Sequence, residues 1–170
     1  MTRLIYLLII ATLLPLSAIA NDEDSYFSLY LVRHAEKQAG KDPQLTACGK
    51  LRAKQLATLL THVNLKAIYS TAYQRTMNTA APIAKQKFLP IKHYSPKYLA
   101  QLTLQLKMLK QNALIVGHSN TTTALLARLM NNDELNKPLA ESDYQQLYQL
   151  QFINNRVYLT KFKQPLFCAS

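Results

Sequence analysis

A chain of 170 residues, 49% hydrophobic and carrying a formal net charge of +11, holds one domain with a real core and has no room for two comfortable ones. The basic excess favours anionic partners, but the lysines are scattered, tryptophan is absent and no zinc-ligand or aromatic-ladder pattern appears, which argues against a nucleic-acid reader. Cys48 and Cys168 are the only thiols; one disulfide and two separate thiols both stay open, because sequence spacing carries no Cα distance.

Residues 1–20 read as a signal peptide. Arg3 starts it, "LIYLLIIATLLPL" is its apolar centre, and Ala18 and Ala20 supply the small residues before a polar start at residue 21. Pro15 and Ser17 interrupt a stretch already short for a spanning helix, so no stable membrane insertion is expected after cleavage. A periplasmic or secreted location follows. Residues 21–170 then form a single domain.

Within that domain strands and helices alternate. "SLYLVRH" is a short buried strand, followed by the loop "AEKQAGKDPQL". Thr46 is placed to cap a helix whose face is Gly49, Ala53, Leu56, Leu60 and Val63. "KAIYS" is a second strand, and Tyr73, Met77, Ala80 and Ala84 mark a second helix. "PIKHY" makes a short strand, Leu99, Leu102, Leu106 and Leu109 a third helix, and "ALIVGH" the clearest strand, turning straight into the helix "NTTTALLARLM". "QQLYQLQF" and "RVYLTKF", separated by "INN", form an antiparallel hairpin. The pattern predicts an α/β fold, a three-layer αβα sandwich whose central sheet is mostly parallel and ends in a C-terminal antiparallel hairpin.

In such sheets ligands bind outside the carboxyl ends of the strands. Arg33 and His34 follow the first strand, Ser70 and Arg75 the second, and His118, Ser119 and Asn120 the strand "ALIVG". Two arginines and two histidines in one crevice suit phosphoryl transfer: guanidinium groups hold phosphate oxygens bidentately, and neighbouring positive charge keeps a histidine neutral and nucleophilic. The arginines neutralise the phosphate, so neither metal nor cofactor is called for.

"LVRHAEK", "LTACGKLRA", "IYSTAYQRTMNTAAPIA" and "LIVGHSNTT" together resemble the successive signatures of the histidine phosphatase superfamily, the phosphoglycerate-mutase-like group with an Arg-His-Ala-Glu start. The resemblance implies an exported bacterial member in which His34 becomes the phosphohistidine and Arg33, Arg75 and His118 complete the phosphate pocket. Thr46, Ser70 and Asn120 are weaker carry-overs for phosphate or substrate binding. Many relatives place an acidic proton donor between the second arginine and the second histidine, yet no Asp or Glu lies between Thr76 and Gly117. Glu36, Asp42, Glu141 and Asp143 are the acids left to fold back into the site, and Glu36 is the candidate proton donor, although an ordering role in its loop is the simpler reading.

The expectation is a metal-independent phosphomonoesterase of the histidine acid phosphatase type, acting on a small phosphorylated metabolite or envelope sugar phosphate. A phosphohistidine phosphatase and a phospholigand-binding protein with little turnover are the alternatives that the missing acid motivates. A mutase fits less well, because the chain is short and lacks the donor. A serine hydrolase centred on Ser119 fails for want of a histidine later in the chain than His118.

Overall fold

The computed structural model describes residues 26–154 and 156–165; the predicted signal peptide and Cys168 lie outside them. The elements run β1 (Phe27–Arg33), α1 (Ala47–Leu59), β2 (Ala67–Ser70), α2 (Gln74–Lys87), β3 (Ile91–His93), α3 (Leu99–Leu109), β4 (Ala113–Gly117), α4 (Ser119–Met130), a 3-10 turn (Asp133–Leu135), β5 (Gln146–Ile153) and β6 (Arg156–Lys163). One six-stranded sheet has the order β3-β2-β4-β1-β5-β6. β3, β2, β4 and β1 pair in parallel, while β5 runs antiparallel to both β1 and β6. The mixed α/β architecture and the terminal hairpin are those expected from the sequence.

The central strands are buried on both faces, which is why their sequences are continuous apolar runs. Odd and even residues of β1 feed different cores. Leu29 and Leu31 pack with Ile115 on the side of α3 and α4, contributing Leu102, Leu106, Leu125 and Leu129. Tyr30 and Val32 pack with Leu114 and Val116 on the side of α1 and α2, with Leu56, Ala80 and Ile83.

Three predicted helix faces need correction. In α3 the buried face is Leu99, Leu102, Thr103 and Leu106, and Leu109 is exposed in the last turn. α1 ends at Leu59, and Leu60 and Val63 belong to the turn that follows, where Val63 N donates to Leu60 O at 3.1 Å; Leu60 is nevertheless core. In α2 the buried face is Thr76, Thr79, Ala80, Ile83 and Ala84, and Tyr73 is its exposed N-cap. Two threonines point inward there because both hydroxyls are hydrogen-bonded to carbonyls. Cys48 is disulfide-bonded, and the only other cysteine of the sequence, Cys168, is outside the described residues.

The segment between β1 and α1 closes on itself: Lys37 and Leu45 form an isolated antiparallel bridge, and Thr46 N donates to Glu36 O at 2.9 Å. Thr46 caps α1 as expected, accepting from Gly49 N at 3.0 Å. Gly49 is required by close approach, since a Cβ there would lie 2.1 Å from Glu36 O. Gly49→Ala is therefore expected to push the residues after His34 away from α1 at a cost of about 1–3 kcal/mol. The measurement is thermal unfolding; a midpoint within a degree or so of the parent would show that this packing does not constrain the loop.

Candidate active site

β1 and β4 share a register in which Arg33 stands opposite Gly117. His34 N–H extends the ladder by donating to Gly117 O at 2.9 Å, so His34 and His118 emerge side by side with ring centroids 5.6 Å apart, edge to face. β2 lies on the other side of β4 and delivers Thr71 and then α2, whose first turn carries Arg75. Three chain segments thus bring Arg33, His34, Arg75 and His118 together.

His34 is 3% exposed. Its Nδ1 lies 2.8 Å from Ala35 O, and since a carbonyl only accepts, the ring proton sits on Nδ1 and Nε2 presents a lone pair. Burial lowers the His34 pKa to about 3; the Ala35 hydrogen bond opposes it, and the charges of Arg33, His118 and Arg75 each add a smaller push in the same direction as burial. The backbone after the ring is held too: Ala35 N donates to Thr79 Oγ1 at 2.9 Å, while that hydroxyl donates to Arg75 O at 2.7 Å.

His118 is fixed from the opposite side. Thr76 Oγ1 has one proton and two carbonyl acceptors, Thr71 O at 2.9 Å and Tyr73 O at 2.8 Å, so it accepts from Thr71 Oγ1 at 2.9 Å. Thr71 Oγ1 then accepts from His118 Nε2 at 3.0 Å. This chain places the His118 proton on Nε2 and leaves Nδ1 facing Arg75 Nη2 at 3.4 Å. Burial, then Arg75 and Arg33, lowers the His118 pKa to about 4.

The arginines have matching surroundings. Arg33 lies 4.2 Å above the Tyr144 ring and pairs through Nη2 with Glu141 Oε2 at 3.1 Å. Arg75 lies 4.5 Å from the Tyr73 ring and pairs through Nη1 with Asp42 Oδ1 at 3.5 Å. In both, Nε is buried without a hydrogen-bond partner. Arg33 Nη1 is committed to the carbonyls of Ala140, Glu141 and Asp143 at 2.7, 3.2 and 3.2 Å. The Nε and Nη2 edge of Arg33 is therefore the edge left to grip an anion.

The other sequence candidates fall elsewhere. The Thr46 hydroxyl is taken up by the α1 cap. Ser70 is fully buried and donates to Thr71 O at 2.9 Å. Asn120 is exposed on the first turn of α4. Glu36 does not reach the histidines: both its oxygens accept from Arg52 Nε at 2.9 Å, which orders the loop. The residues that sequence reasoning missed are Thr71, Thr76, Thr79 and Tyr73. The first two flank the noted Ser70 and Arg75 and were within reach of the strand-end rule. Tyr144 opens "YQQLYQL", whose tyrosines read most simply as strand residues with one free to line the substrate opening; it lies just before β5 and packs on Arg33.

Because the unfolded imidazole titrates near pH 6.5 and both folded ones near pH 3 to 4, the unfolded chain binds more protons across that window. The stability contributed by these groups is complete above pH 6.5 and is lost as pH falls towards 3. The thermal midpoint of the parent should fall more steeply from pH 7 to pH 4 than that of a His34→Gln, His118→Gln double variant; parallel curves would mean the imidazoles are not held neutral.

The model of the histidine phosphatase superfamily (branch 1) matches residues 29–95. Phosphoserine phosphatase 1 of Hydrogenobacter thermophilus is 42% identical over 71 residues, covering 37% of this chain and 34% of that protein. A Schizosaccharomyces pombe protein named "Probable phosphatase C1620.13" is 32% identical over 85 residues, 45% of this chain and 30% of its own. The matches thus span about a third of the length of these curated relatives. Among solved structures, the alpha-ribazole phosphatase from Shigella flexneri superposes with a TM-score of 0.68 at 16% identity, covering 84% of this chain and 99% of that one, a likeness of fold. The segment that is similar to the histidine phosphatase superfamily (branch 1) holds Arg33, His34 and Arg75, three of the four side chains gathered in this pocket.

Proposed function

We propose that the protein is a phosphatase that hydrolyses phosphate monoesters through a phosphohistidine on His34, without a metal ion. The observation that carries this reading is the state of His34: its Nδ1 is committed to Ala35 O, and its neutral Nε2 lies in a pocket with the two arginines. Such a ring is a nucleophile at neutral pH. Arg33 and Arg75 would hold the three equatorial oxygens as the phosphoryl group passes from the leaving oxygen to Nε2. His118, with Nε2 bound to Thr71 and Nδ1 facing Arg75 Nη2, would hold the Arg75 guanidinium in place for the phosphate. Water then attacks the phosphohistidine and releases phosphate.

The substrate proposed is a small phosphorylated alcohol, either a metabolite or an envelope sugar phosphate, met in the periplasm or outside the cell as the apolar leader at residues 1–20 suggests. A phosphorylated imidazole is the second reading, favoured by the absence of any Asp or Glu between Thr76 and Gly117, because imidazole leaves without a strong acid.

His34→Ala is expected to lower hydrolysis of an aryl phosphate at least ~10⁴-fold while vanadate or phosphate still binds, as titration calorimetry would report. Retained turnover in that variant would remove His34 from the mechanism. Dialysis against a chelator should leave kcat unchanged; a loss restored by adding back a divalent ion would overturn metal independence.

A further inference from the structure

The reaction proposed above requires a proton for an alkoxide leaving group, and most acidic side chains of the described residues are committed elsewhere. Glu36 is closed off by its two-oxygen pairing with Arg52. Asp143 spends its oxygens on Gln145 N at 3.2 Å and Gln146 Nε2 at 3.2 Å. Asp133 and Glu134 lie on the turn beyond the far end of α4, about 18 Å of helix from His118. Asp42 touches Arg75, but the same Oδ1 accepts from Gln74 N at 3.0 Å, the first residue of α2. That oxygen is shared between two donors, which ties Asp42 to the start of α2.

Glu141 differs from all of these. Its carboxylate makes one contact, Oε2 to Arg33 Nη2 at 3.1 Å, on the edge of the guanidinium left for an anion. It stays there although the side chain is 82% exposed, because the flanking backbone is anchored: Arg33 Nη1 binds the carbonyls of Ala140, Glu141 and Asp143, and Tyr144 stacks under the same group. A phosphate seated on the Nε and Nη2 edge brings negative charge against this carboxylate and favours its protonated form.

We infer that Glu141 is the general acid of the site, and that its substrates therefore include alkyl phosphates with poor leaving groups; this rests on the phosphatase reading above. As the P–O bond breaks, its electron pair passes to the leaving oxygen, which takes the Glu141 proton while His34 Nε2 forms the N–P bond. In the second half the Glu141 carboxylate takes a proton from water as the water oxygen attacks phosphorus, and the P–N bond pair returns to Nε2. The arrangement makes phosphate binding itself the event that arms the acid.

The test compares glycerol phosphate with 4-nitrophenyl phosphate in the full chain, in Glu141→Gln and in Asp42→Asn, with thermal midpoints recorded for each. Glu141→Gln should lower kcat on the alkyl ester ~10²-fold or more while changing kcat on the aryl ester, whose leaving group needs no proton, less than about threefold. Asp42→Asn should show no such split. Equal losses on both esters, no loss on either, a parent protein inactive on the alkyl ester, or the split appearing in Asp42→Asn would each overturn the assignment. Loss of the phosphatase reading looks different: aryl phosphate hydrolysis would be absent from the parent or indifferent to His34→Ala.

Discussion

The site depends on the parallel register of β1 against β4. Val32 opposite Val116 and Arg33 opposite Gly117 make both strands end at the same level, and the hydrogen bond from His34 N to Gly117 O carries the match one residue further. A slip of one position would turn Arg33 and His34 to the opposite faces of the sheet and separate the imidazoles. The two cores hold the register, because adjacent residues of β1 are committed to different helix layers.

Gly117 has its own part in this meeting. A Cβ there would come within 2.9–3.0 Å of Thr121 Oγ1, Tyr94 Oη and Thr122 Oγ1, groups that tie α4 and β3's following residue to the strand ends. Thr122 Oγ1 donates to Val32 O at 3.2 Å and Tyr94 Oη to Val116 O at 3.2 Å. Side-chain hydroxyls thus bind the carbonyl one residue before the end of each strand and pin α4 and Tyr94 to the strand ends. The rigidity of the site comes from this shell as much as from the sheet.

Electrostatically, the four central side chains form a cationic pocket whose histidines are neutral for a physical reason: burial and two guanidinium groups both oppose a second charge. Each arginine is in turn supported by a tyrosine face and a rim carboxylate. The carboxylates offset positive charge without entering between the histidines, so an incoming phosphate meets donors that are already oriented. Preorganised donors of this kind cost little rearrangement in the reaction.

Much of this was legible in the chain. Uninterrupted apolar runs such as "ALIVG" can only be strands buried on both faces, and the polar residues that end them must gather at one edge, so Arg33, His34, Arg75 and His118 were locatable from spacing and strand ends. Gly49, the Thr46 cap and the first three leucines of the α3 face were equally local, and they appear where periodicity puts them, while Leu109 at the end of α3 is exposed. What tertiary structure alone decided is which distant groups complete the pocket. Tyr144 and Glu141 reach Arg33 across more than 100 residues, and Glu36, adjacent to the site in sequence, turns away to Arg52. Local pattern reports the period of a helix or strand, but the partner of a charge is set by how elements pack, and that depends on the whole chain at once.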